Sequence, residues 1–136
     1  MDYLDIKMPE GEIGKLSNLA LAHVGDGVYE LMVRTCLASN GSETAKNLHK
    51  NAVRLVAAPA QARAAEKLLP MLSEAEQEVY RRGRNAHVNA IPKAASVREY
   101  HEATGLEALF GWLYLSGMHG RLNELFELCM EAGNGA

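Results

Sequence analysis

Two carboxylates in apolar surroundings, Asp26 and Glu107, are the side chains in this 136-residue chain whose types and placement most invite chemistry. From Leu19 to Leu37 the sequence is apolar on nearly every side of a helix, through Leu19, Leu21, Ala22, Val24, Val28, Leu31, Met32, Val33 and Leu37, the pattern of a core helix. Asp26 stands in its middle, between Gly25 and Gly27. A carboxylate in a core is costly unless a partner or a metal compensates. Glycines inside a helix cost about 1 kcal/mol each, so a pair of them implies that another helix or a ligand must approach the backbone. The alternative is a Gly-Asp-Gly turn that splits the run and exposes Asp26. The apolar spacing continues across it and favours one helix.

Glu107 opens a second apolar stretch, with Leu106, Leu109, Phe110 and Leu113 on one face. Thr104-x-x-Glu107 also satisfies the capping-box pattern, which would make Glu107 a helix cap. The two acids lie 81 residues apart, so spacing cannot show that they meet. If they do, they suit Mg²⁺, a hard ion that takes oxygen ligands and keeps several waters. Glu30 and Arg34 follow Asp26 at steps of four, the spacing of an ion pair. The five histidines show no metal-ligand spacing with Cys36 or Cys129, so no zinc site is expected. Neither a Ser-His-Asp arrangement nor a glycine-rich phosphate loop stands out.

The elements that must position these groups are helices. Ser17 caps the first long one, Leu19 to about Leu37, which closes in Ser39-Asn40-Gly41. Ser42 opens the next, with Ala45, Leu48, Ala52, Val53 and Val56 at helical spacing. Pro59 suits the first turn of a third that reaches about Leu69, before Pro70. Ser73 and Glu76 form a capping box for a helix that stops near Gly83. Ser96 and Glu99 open a short helix, Thr104 and Glu107 another that runs to Ser116-Gly117, and an amphipathic helix spans about Arg121 to Ala132. No alternating strand pattern appears. The expected fold class is all-α, in one domain over residues 17–132, with a start segment 1–16 and a tail 133–136.

The net charge of −3 argues against a strongly basic nucleic-acid binder, but the charge is uneven. Residues 44–93 hold nine Lys and Arg against four acids, whereas the remainder holds five against thirteen. A basic middle can present a phosphate-facing surface, or be a solvated helical face. The amino-terminal residues lack the basic-then-apolar order of a signal peptide. No segment approaches the roughly 18 apolar residues of a membrane span, and Cys36 and Cys129 read as buried free thiols. Together these point to the cytoplasm.

Four segments carry a resemblance. LALAHVGDGVYELMVR, Leu19 to Arg34, resembles the signature helix of the ribonuclease III family. TGLEALFGWLYLSG, from Thr104, resembles that family's second metal-binding helix. RRGRNA at Arg81 to Ala86 and LHKNAVRLV at Leu48 to Val56 are similar to the Mini-ribonuclease III branch, which lacks a separate double-stranded-RNA-binding domain. The likeness covers about Leu19 to Met130 in the right order. It implies a helical bundle that forms a homodimer, with double-stranded RNA lying in a valley across two active sites. By position, Asp26 and Glu107 match the family's metal-binding acids, with Mg²⁺ (or Mn²⁺) as cofactor. The family's two further acids fall here on Ala22 and Thr104, and the branch it resembles lacks them too. The implied reaction is hydrolysis that leaves a 5′-phosphate and a 3′-hydroxyl. The implied RNA contacts are Arg81, Arg82, Arg84 and Asn85 in a loop after a helix, with Lys46, Lys50 and Lys93. The implied substrate is precursor 23S ribosomal RNA, read through its own shape or with a ribosomal protein bound beside it. His23 falls where relatives place an aromatic near the dimer seam. Two other readings stand beside this one: a duplex-RNA-binding dimer that does not cut, and a helical adaptor unrelated to RNA.

Overall fold

The computed structural model describes residues 1–41, 43–86 and 96–134. Among them the chain is all-α: α1 Glu10–Ile13, α2 Asn18–Ser39, α3 Ala45–Val56, α4 Ala58–Leu68, a 3-10 turn Leu69–Met71, α5 Glu74–Arg84, α6 Val97–Leu115 and α7 His119–Asn134. Ser17 caps α2, its hydroxyl accepting from the Ala20 amide at 3.0 Å, and the helix runs unbroken for 22 residues through Gly25-Asp26-Gly27. The turn alternative for that segment is excluded.

Two expected caps move. Thr44 begins α3, its side chain accepting from the Asn47 amide, while Ser42 lies outside the described residues. The short helix after Ser96 and the one expected to start at Thr104 are a single helix, α6. Ser96 and Glu99 form its reciprocal capping box. Thr104 sits two turns inside, buried, and its hydroxyl donates to the Tyr100 carbonyl at 3.0 Å. A threonine that back-bonds within a continuing helix has no free amides to cap. Thr104 is therefore not a cap, and Glu107 is not a capping residue.

Helix α6 is the axis of the bundle, packing on α2, α5 and α4 and less extensively on α7. Leu106, Leu109, Phe110 and Leu113 are fully buried along it. They meet Tyr29 and Val33 of α2, Ala64, Ala65 and Leu68 of α4, and Leu125 and Cys129 of α7. Tyr29 packs edge-on against Phe110 and Phe126, with centroids 5.1 and 5.9 Å away, the arrangement that aromatic quadrupoles prefer. A smaller cluster joins Ile13 of α1 to Leu21, Ala22, Ala108 and Leu115. Cys129 is buried, but Cys36 is only half-buried, so one of the two expected buried thiols is partly open. Among the described residues no helix is long and apolar enough to cross a membrane.

Backbones touch where α2 crosses α6. A Cβ on Gly25 would lie 1.6 Å from the Glu107 carbonyl oxygen, and one on Gly111 would lie 2.0 Å from that of Leu21. Only glycine allows this approach, because neither carbonyl can move without its helix. A Cβ on Gly27 would meet nothing within 4 Å, so of the two glycines beside Asp26 only Gly25 answers to packing.

Candidate active site

The Gly25–Gly111 crossing decides the geometry of the two acids. Asp26 follows Gly25 on α2 and Glu107 sits one turn before Gly111 on α6, so the contact that joins the backbones also joins the carboxylates. They share a hydrogen bond. Asp26 is exposed, contrary to the core position expected from its apolar surroundings, whereas Glu107 is mostly buried. The reason is that α2 is apolar on two sides for different causes. One side enters the core through Leu21, Tyr29 and Val33, while Leu31, 55 % exposed, lies on a side left open among the described residues. Asp26 falls at the open edge.

Burial pushes the Glu107 carboxyl up to about 8, helped by the negative charge of Asp26 and their shared hydrogen bond. The buried Glu107 carboxyl thus keeps its proton at neutral pH. A divalent cation could replace that proton. Asp26 and Glu107 offer hard oxygen donors only, with Asp26 open to solvent, and Mg²⁺ is held in just this way by one or two carboxylates with waters and phosphate completing its shell. Among the described residues no group of three or more His, Cys, Asp or Glu could hold a metal. The donor set fits Mg²⁺ and does not fit zinc.

Around the pair, Glu30 bonds Arg34, Oε1 to Nη2, at 2.8 Å, as its spacing suggests. Glu30 is thereby tied to its own helix. Gln61 of α4 was not singled out by sequence, yet it is 2 % exposed and its Nε2 lies 3.5 Å from Glu107 Oε2. The one signal for it was a lone amide in the apolar row Ala58, Gln61, Ala62, Ala65, Leu68.

The expected RNA contacts divide. Arg81, Arg82 and Arg84 lie in the last turn of α5 and Asn85 is its C-cap, so they are on a helix end rather than in a loop. Arg81 and Arg82 both pair with Glu78, at 2.6 and 2.9 Å. Arg84 is exposed and makes no ion pair among the described residues. Lys46 and Lys50 are exposed one turn apart on α3, and Arg54 continues their row for another turn. Lys93 lies outside the described residues. His23 is exposed on α2.

The model of the ribonuclease III domain matches residues 19–118. The chain therefore belongs to the ribonuclease III family, in its Mini-ribonuclease III branch, and is by class an endoribonuclease. It is 43 % identical over 116 residues to the Mini-ribonuclease 3 of Thermoanaerobacter sp. (strain X514), covering 85 % of this chain and 82 % of that one. With the Mini-ribonuclease 3 of Symbiobacterium thermophilum it is 46 % identical over 112 residues, covering 82 % and 86 %. A crystal structure of a Fusobacterium nucleatum protein superposes with a TM-score of 0.82 at 28 % identity, covering 90 % of this chain and 98 % of that one.

Proposed function

We propose that this protein cleaves double-stranded RNA with Mg²⁺ held by Asp26 and Glu107, and that it matures the ends of precursor 23S ribosomal RNA in the cytoplasm. The observation that carries the reading is the meeting of these two acids at an exposed edge, across a crossing that only glycines permit. Held there, Mg²⁺ (or Mn²⁺) would supply positive charge for a scissile phosphate and would make a water more acidic for attack on it. Asp26 provides a solvent-facing ligand. Glu107 provides a buried one, which gives up its proton on binding. The products are a 5′-phosphate and a 3′-hydroxyl. Duplex RNA is read by shape and backbone, because A-form grooves give side chains little access to base edges. The test is incubation of purified protein with a duplexed precursor ribosomal RNA end, with Mg²⁺ or with EDTA. Metal-dependent cutting supports the nuclease; tight duplex binding without cutting under any metal would establish the non-cleaving alternative.

Phosphate contacts fall to Arg84, Lys46 and Lys50, whose charges no acid neutralises among the described residues. Arg81, Arg82 and Asn85 stand beside Arg84, with Glu78 orienting the first two. Arg84→Ala is expected to weaken duplex binding and to lower the salt slope of log K by about 1. An unchanged slope in filter-binding titrations would remove Arg84 from the contact set.

The working unit is a homodimer. An apolar groove of about 370 Å³ runs along the uncovered side of α2, lined by Val24, Val28, Leu31 and Met32 with Leu4 and Leu122. Exposed apolar surface of this kind marks an interaction site, and a two-fold dimer uses one patch twice. Leu31→Glu should give a folded monomer by sedimentation equilibrium, since Leu31 is half exposed and its loss leaves the core intact. A retained dimer mass would place the interface elsewhere. A ribosomal protein bound to the same RNA would add specificity.

A further inference from the structure

Gln61 is a primary amide sealed in an alanine-rich helix face, 2 % exposed, and its Oε1 has no hydrogen-bond partner among the described residues. Burying such a group without full compensation is unfavourable. Its Nε2 donates to the Val56 carbonyl at 3.1 Å and faces Glu107 Oε2 at 3.5 Å. The Val56 carbonyl settles which way the amide points: exchanging Nε2 and Oε1 would set two acceptors against each other. Gln61 must therefore present an N–H to Glu107. Val56 is the last residue of α3, and Ala57 both ends α3 and caps α4. One amide thus ties the α3–α4 elbow to the buried carboxylate of α6.

We propose that Gln61 is a positioning residue that holds Glu107 Oε2 in the orientation needed for the divalent cation. The inference rests on the metal-binding reading of Asp26 and Glu107. A group that orients a ligand carboxylate and donates to its charged form raises its affinity for metal, and losing such a partner typically costs about 10- to 100-fold in metal binding or activity. The contact is long for a neutral hydrogen bond and shortens as Glu107 takes on full charge, since charge-assisted bonds are the shorter ones.

The experiment is Mn²⁺ binding to the RNA-free protein, followed by electron paramagnetic resonance, for wild type, Gln61→Met and Gln61→Leu, beside thermal melts. The expected result is a Kd raised about tenfold or more, with Tm unchanged or higher because a partly unsatisfied buried amide has gone. In cleavage assays the half-saturating Mn²⁺ concentration should rise while the rate at saturating Mn²⁺ stays within about threefold, well inside the 10-fold effect expected on binding. A purely structural Gln61 would instead lower Tm and leave the Kd within about twofold, which overturns the proposal. If neither variant folds, the wild type decides. On titration with Mg²⁺, the Gln61 side-chain amide resonances should shift together with the Glu107 backbone amide, and a Gln61 signal that stays still overturns the proposal. Wild type that binds no Mn²⁺ at all would bring down the metal-binding reading itself, a failure distinct from that of Gln61.

Discussion

Asp26→Asn is expected to lower cleavage of duplex RNA by roughly 10²- to 10⁴-fold, a loss of several kcal/mol of transition-state stabilisation, while the fold and the dimer persist. Asp26 is exposed and supports no packing, so the isosteric amide leaves α2 and its crossing with α6 unchanged. The substitution removes one of the two carboxylates of the proposed site and, with it, the like charge beside Glu107. The Glu107 carboxyl should then fall back toward its usual range, because one of the causes that raise it has gone. Single-turnover cleavage and thermal melts read the two effects separately. A large loss of rate with an equal or higher Tm in metal-free buffer is the signature of a carboxylate placed for binding at some expense to the apo fold. Near wild-type turnover would sink the assignment. A fall in Tm equal to that of a core substitution would instead make Asp26 structural.

The reach of the sequence can be judged from α2 and α6. The unbroken apolar spacing from Leu19 to Leu37 pointed to a single helix, and Gly25 was legible as a point of close approach because a glycine inside a helix needs a packing reason. The exposure of Asp26 was not legible. Leu31 and Val28 are apolar like Tyr29 and Val33, and nothing in periodicity separates a side that enters the core from one that stays uncovered. At Thr104 the error was of another kind. A Ser/Thr-x-x-Glu pattern is local, and it carries no record of whether the helix has already begun; Ser96 had already capped it eight residues upstream. Gln61 escaped because its row is mostly alanine, which marks a buried face too weakly to make one amide conspicuous. The basic middle of the chain was visible as composition, but only the structure shows Glu78 occupied with Arg81 and Arg82, while Arg84 makes no ion pair among the described residues.

The metal-free protein should lose stability as pH rises from about 5 to about 8, the reverse of what a salt-bridged carboxylate produces. Glu107 has its carboxyl raised from 4.5 to about 8 in the folded state. Between those limits the native protein holds a proton that the unfolded chain has released, and stability falls with pH wherever the native state binds more protons. The contribution is therefore complete below about pH 4.5, is lost progressively as pH approaches 8, and is level above it. Every tenfold gain in proton affinity on folding is worth about 1.4 kcal/mol, so the swing reaches a few kcal/mol, or roughly 10 °C in Tm for a domain of this size. The other shifted acids do not act in this window: Glu76, held low chiefly by its hydrogen bond to Arg121, loses its contribution only in acid. Glu107→Gln should flatten the Tm profile between pH 5 and 8 and lift it at the alkaline end, because the amide is neutral throughout. Saturating Mg²⁺ should flatten the wild-type profile as well, since a cation between Asp26 and Glu107 removes the need for the proton, and its binding should release a proton that weak buffer can record. A wild-type Tm that rises across the same interval would mean that Glu107 is ionised in the apo protein, and that the carboxylate pair is held together by something other than a shared proton.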